Sequence, residues 1–148
     1  MSQDTFLEET ESFIASCYDV FTSVQGFHWN VEGDGFFHLH EFFKQAYEEL
    51  HSQVDDFAER VRTFDRYAPG TLFEMKQLSK IKTPQGRKHT AEKMLEIFCE
   101  NTTILVNQAK QLIKLCDDVN DFVTQDMLIE FVHGQEKNLW MARSYMKK

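Results

Sequence analysis

Three of the chain's six histidines fall within the single stretch FHWNVEGDGFFHLHEFF, Phe27 to Phe43: His28, His38 and His40. Imidazole is neither the best core filler nor a strong helix former. What it does well is bind a divalent metal ion through a neutral ring nitrogen. Beyond His40, the stretch DDFAER carries Asp55 and Glu59, spaced one helical turn apart and so stacked on one face. Nitrogen and oxygen donors of this kind suit a divalent metal ion, whereas an all-thiolate set would hold the ion differently. Each residue also has a plainer role open to it: a charged flank is commonly just solvated, His28 can close a core as a polar residue, and His38 can sit exposed at a helix start.

Two Glu-x-x-His motifs offer a second arrangement. EELH supplies Glu48 and His51, and EFVH supplies Glu130 and His133. On two helices of a four-helix bundle, such motifs can hold a pair of irons inside, with a Glu from each of the other two helices. Their orientation is unfavourable, because Glu48 lies about 160° and His51 about 100° from the centre of the apolar stripe on their own segment. Glu130 is likewise nearly opposite the stripe of Leu128, Val132 and Leu139.

These residues need long helices to position them. Prolines stand only at Pro69 and Pro84, leaving four segments of helical periodicity at about 5–30, 35–65, 87–117 and 121–147. The first carries Phe6, Phe13, Cys17, Phe21 and Val24 on one stripe, the third Met94, Phe98, Leu105, Ala109, Leu112 and Cys116, and the fourth Leu128, Val132, Leu139 and Met146. The second is the most regular, with Leu39, Phe43, Ala46, Leu50, Val54, Phe57, Val61 and Phe64 within roughly 80° of arc. The four stripes close on one another as an all-α four-helix bundle. The connection YAPGTLFEMKQLSKIKTPQG is too long to be structureless, and its LFEMKQLS is expected to form a short extra helix.

At 148 residues the chain makes one domain, 1–148, with a sizeable core. A formal charge of −8 argues against a surface built to neutralise nucleic-acid phosphates and favours cationic partners, metal ions among them. No apolar run approaches a membrane span, and MSQDTFLEE is not a basic region followed by an apolar one, so a cytoplasmic, unprocessed protein is expected. Cys17, Cys99 and Cys116 follow no metal-ligand spacing and read as small apolar filler.

Geometry then limits how the candidate ligands can meet. His40 and Asp55 are separated by about 22 Å along one straight helix, whereas ligands of one ion must converge to about 2 Å from it. One chain cannot bring them together. A second copy packed antiparallel across a two-fold axis can, and the sites then come in pairs.

HWNVEG at 28–33, FFHLHEFF at 36–43 and DDFAER at 55–60 closely resemble the signature of the Dps family of mini-ferritins, the DNA-binding proteins from starved cells. YAPGTLFEMKQLS resembles that family's short helix between the second and third bundle helices, and TQDMLIEFVHGQEKNLWM its last helix, so the likeness covers nearly the whole chain. The resemblance implies a ferritin-like bundle and a hollow dodecamer. It further implies ferroxidase sites at two-fold interfaces that oxidise Fe(II), typically with hydrogen peroxide, and a ferric mineral stored inside as protection against oxidative damage. By the same resemblance His28 and His40 come from one subunit and Asp55 and Glu59 from its neighbour, zinc or other divalent ions can replace iron, and Trp29 stands beside the site as a sink for radical equivalents. Acidic residues at the start of the last helix, Asp121, Asp126 and Glu130, would line three-fold pores admitting iron.

Two departures modify these expectations. The family commonly carries an acid four positions after the second histidine, where this chain has Lys44. An ammonium one turn from His40 repels a second ferrous ion. Members that bind DNA directly usually do so through Lys-rich tails, and here the N-terminal extension holds Asp4 and no Lys or Arg, so direct DNA binding is not expected without bridging cations. An alternative function is a structural or nucleoid-associated shell whose iron chemistry Lys44 has impaired.

Overall fold

Short polar side chains set where the helical periodicity begins. Ser2 accepts the Thr5 backbone N–H, Thr90 that of Lys93 and Asp121 that of Thr124, while Thr71 and Glu74 cap each other reciprocally. The computed structural model describes residues 1–147, and among them the chain forms α1 (Gln3–Asn30), α2 (Phe36–Arg62), α3 (Leu72–Leu78), α4 (Ala91–Asp118) and α5 (Phe122–Met146). Helices α1 and α2 form one hairpin, α4 and α5 a second, and α1 packs on α4. The crossover between the hairpins carries α3, which lies against α1. This is the expected all-α bundle with its short extra helix.

Every predicted stripe residue of α1 and α4 is buried, as are Leu39 to Val61 of the α2 stripe and Leu128, Val132 and Leu139 of α5. At the centre, Phe13, Phe57 and Phe131 meet edge to face, with centroids 5.0 to 6.0 Å apart. Each such ring stabilises the fold by about 1.5–3 kcal/mol through burial, and the three together join α1, α2 and α5 at one point.

Two boundaries differ from expectation. Helix α2 stops at Arg62, not near 65, because the chain turns through Asp65 in the left-handed region at φ 60°. Phe64 therefore leaves the core stripe and lies half-buried, with the Arg60 guanidinium 4.7 Å above its ring. Helix α4 starts at Ala91, not 87, since Gly86 takes φ 110° and Thr90 supplies the cap. Met146, the last residue of α5, is only partly buried.

The turn from α1 to α2 is short and has one strict requirement. Gly35, the residue before α2, has φ 79°, and a Cβ there would run into the Tyr145 hydroxyl at the end of α5. Glycine is needed for both reasons. Among the described residues, no helix is long and apolar enough to cross a membrane.

Candidate metal centre

His28 sits in the last turn of α1 and is 9% exposed; His40 follows in the second turn of α2 and is half-buried. Gly33 and Gly35 reverse the chain so tightly that the two rings stack face to face, centroids 3.9 Å apart and 14° from parallel. The Nδ1–H of His28 donates to the backbone carbonyl of His40, and the Nδ1–H of His40 donates to that of His28, both at 2.7 Å. A carbonyl oxygen can only accept, so each Nδ1 carries the proton. In its neutral form each ring then keeps the Nε2 lone pair for a metal ion, which is the division of labour expected of metal-binding imidazoles.

Stacking also limits what the pair can bind. Imidazole lone pairs lie in the ring plane, and these planes are nearly parallel and a ring's thickness apart. One ion at about 2.1 Å from one Nε2 cannot lie in the plane of the other. The two rings serve two positions, or one of them acts through water. Phe36 stacks on His40 at 5.0 Å, and Tyr47 leans on His28 at 5.4 Å.

Asp55 and Glu59 are exposed on the outward flank of α2. The hydrogen bond between their side chains and the negative charge of Asp55 hold the Glu59 carboxyl above its usual range, with smaller contributions from desolvation and Asp56. Two acids this close favour a shared proton or a shared cation. They lie far along the rod from the histidines. Among the described residues, no three His, Cys, Asp or Glu side chains of one chain converge as a metal site. The chain thus presents two half-sites, imidazoles at one end of α2 and carboxylates at the other.

The remaining candidates are scattered. Glu48, His51, Glu130 and His133 are all exposed, and His51 lies 5.0 Å from the Phe21 ring, so the two Glu-x-x-His motifs do not face one another in the core. His38 is exposed in the first turn of α2. Trp29 follows His28 in sequence and is 65% exposed. Lys44 is exposed one turn after His40, and Asp126 and Glu130 are exposed on α5. Asp121 is buried, only 7% exposed, and accepts from Arg60 Nη2 at 2.9 Å and from the hydroxyl and backbone N–H of Thr124. Burial alone would raise its carboxyl; the Thr124 and Arg60 hydrogen bonds outweigh that and hold it below the usual range. The carboxylate expected to face a pore is therefore occupied as a helix cap and ion-pair partner. Burial raises the thiols of Cys17, Cys99 and Cys116, the last to about 12, which suits filler and not thiolate ligands.

Sequence reasoning does not find Arg60, Tyr47, or the polar network in which Gln135 and Asn138 donate to Gln53 and Glu49 at 3.1 and 3.2 Å. Periodicity gives only the positions of these residues along their helices. The network sits beside a groove of about 300 Å³ between α2 and α5, lined by Glu49, Gln53, Asp56 and Glu130. Gly134 stands beside Glu49, and a Cβ there would come within 2.8 Å of the Glu49 carboxylate.

The model of the ferritin-like domain family matches residues 11–148. The DNA protection during starvation protein of Brevibacillus brevis is 31% identical over 134 residues, covering 90% of this chain and 89% of that protein. The crystal structure of Dps from Staphylococcus aureus superposes with a TM-score of 0.93 at 30% identity, over 99% of this chain and 98% of that one. Dps from Listeria innocua, in a crystal soaked with zinc, gives 0.89 at 28% identity over 95% of each chain.

Proposed function

Because the chain belongs to the ferritin-like domain family, in its Dps branch, we propose that it is a mini-ferritin ferroxidase acting between subunits. It binds Fe(II) at sites shared by two-fold-related copies and oxidises it with hydrogen peroxide. The ferric product is stored in a hollow shell of twelve subunits, which protects the cytoplasm against oxidative damage. Iron is substrate and cargo; zinc and other divalent ions can take its place, as the zinc soak of the Listeria innocua relative suggests.

One observation carries this reading: the stacked His28–His40 pair keeps both Nε2 lone pairs free, while the paired acids Asp55 and Glu59 lie too far along the same helix to reach them. An antiparallel neighbour supplies what each chain lacks. The imidazoles contribute neutral donors and the neighbour's carboxylates contribute charge, so a divalent ion is held firmly, and the ferric product, preferring oxide, moves on to the mineral. Lys44 disfavours the position served by His40, leaving one firm iron position per site. Trp29 borders the site. Asp126 and Glu130 line the entry pore, with Asp121 fixing the helix start that presents them.

Stopped-flow oxidation of Fe(II) by peroxide is the test. Replacing His28 and His40, or Asp55 and Glu59, abolishes the fast phase while the shell remains assembled by sedimentation. A slow native protein with normal assembly would favour the second reading, which Lys44 alone supports: a structural shell with impaired ferroxidase activity.

A further inference from the structure

Positive charge is unevenly spread along this acidic chain. The segment KIKTPQGRKHT, residues 80–90, holds Lys80, Lys82, Arg87 and Lys88, a quarter of the chain's 16 Lys and Arg, and no acid. Lys80 is paired with Glu9 at 3.3 Å, while Lys82, Arg87 and Lys88 are exposed and make no ion pair among the described residues. Beside them, between the last turns of α1 and the loop that leads into α4, lies a recess of about 130 Å³, with no Asp or Glu in its lining among the described residues. We propose that this recess binds a phosphate-class oxyanion, one per chain and independently of the metal centre.

Its lining is rich in donors. The amide of Asn101, buried on α4, donates to Thr83 Oγ1 at 3.1 Å, which leaves the Thr83 hydroxyl proton free for a ligand. Asn30 adds an amide whose N–H groups have no partner among the described residues. Gly86, at φ 110°, turns the loop so that Arg87 lines the same recess as Thr83. The Arg87 guanidinium brings a fixed fork of N–H donors that matches two oxygens of an anion at once. His89 adds a ring nitrogen, its imidazole set edge-on to Phe27 with centroids 6.5 Å apart. Donors and a guanidinium without a carboxylate favour an anion over a metal ion, and a phosphate dianion presents acceptors at every corner. At about 30 Å³ per water the recess holds roughly four waters, or one tetrahedral oxyanion.

Gly26, on the α1 wall of the recess, supports the same reading. Inside a helix glycine is weaker than alanine, yet a Cβ at this position would meet nothing within 4 Å. Neither packing nor a left-handed backbone asks for glycine here. What a side chain would take up is the room in the recess. One phosphoryl group fits that room, and the acidic remainder of the chain repels a duplex, so the ligand is small: free phosphate, or the terminal phosphate of a small metabolite.

Calorimetry of the native, metal-free protein against sodium phosphate at low salt is the test. One equivalent per chain is expected. Affinity should fall tenfold or more in Arg87→Ala, and also in Gly26→Leu, which fills the recess and leaves the urea midpoint unchanged or higher. Lys114 is an exposed cation on α4 outside the lining; Lys114→Ala removes the same charge and should bind as the native protein does. Glycerol 3-phosphate binding as tightly as inorganic phosphate would bear out the site as one for terminal phosphates, and binding of inorganic phosphate alone as one for the free ion. No heat at millimolar phosphate, binding that survives Gly26→Leu, or an equal loss in Lys114→Ala and Arg87→Ala overturns the proposal.

Discussion

The orientation of His40 depends on a backbone conformation that strongly favours glycine. Gly35 starts α2 from the left-handed region with the Tyr145 hydroxyl against its Cα. Gly35→Ala is expected to cost about 1–3 kcal/mol, read as a lower urea midpoint, and to weaken zinc binding because the His28 and His40 carbonyls no longer hold each other's rings. Tyr145→Phe removes the hydroxyl from the contact but leaves the positive φ, so the double variant should recover only part of the loss. Lys44 poses the opposite kind of test, one of charge without strain. It is exposed, so Lys44→Asp should fold normally while tightening the weaker ion position roughly tenfold or more. Calorimetry with Zn(II) is expected to change from one firm equivalent per site to two, and two tight equivalents in the native protein would remove the role given to Lys44.

At the scale of elements, the start of α5 is tied to the end of α2 by one ion pair, Arg60 to Asp121, with Thr124 bonded to both. Asp121→Asn keeps a capping side chain but loses the charge, and is expected to cost about 1–2 kcal/mol at neutral pH, since Arg60 is partly screened by water. The folded carboxyl titrates below its unfolded value, so its contribution is fully present above about pH 4 and is lost as pH falls through the lower folded value. Urea melts of both proteins across pH should therefore converge in acid, not in base. None of this tie is legible in the sequence, where Asp121 looks like a free acid at a helix start. Periodicity reveals which residues turn inward along one helix, and it places the apolar stripes of α1 and α4, and that of α2 as far as Val61, correctly; it holds no information about which side chains from distant segments meet. For the same reason His28 and His40 can be singled out by type and spacing, while their stacking and reciprocal carbonyl bonds cannot. Asp65 and Gly86, whose backbone conformations end α2 and delay α4, carry no apolar pattern, which is why periodicity misplaces those boundaries.

At the scale of the whole molecule, the proposed shell of twelve chains, each with formal charge −8, would repel a polyanion, so no shift of duplex DNA is expected in a gel at physiological salt until divalent ions are added. Assembly matters more to the chemistry. Leu72 and Phe73 on α3 and Phe122, Ile129 and Trp140 on α5 are exposed in the single chain, and apolar surface of this kind is commonly covered by a partner. If the site takes its imidazoles from one copy and its carboxylates from another, two inactive variants should rescue each other. Co-expressed in equal amounts, His28→Ala/His40→Ala chains and Asp55→Asn/Glu59→Gln chains pair at random. A working site then needs an intact imidazole pair on one side of the two-fold axis and intact acids on the other, which about a quarter of sites obtain. Fe(II) oxidation in the mixed shell should recover to about that fraction of the native rate, whereas each variant shell alone stays inactive. A site made within one chain would give no recovery at any mixing ratio, because every chain in the mixture would lack half of its ligands.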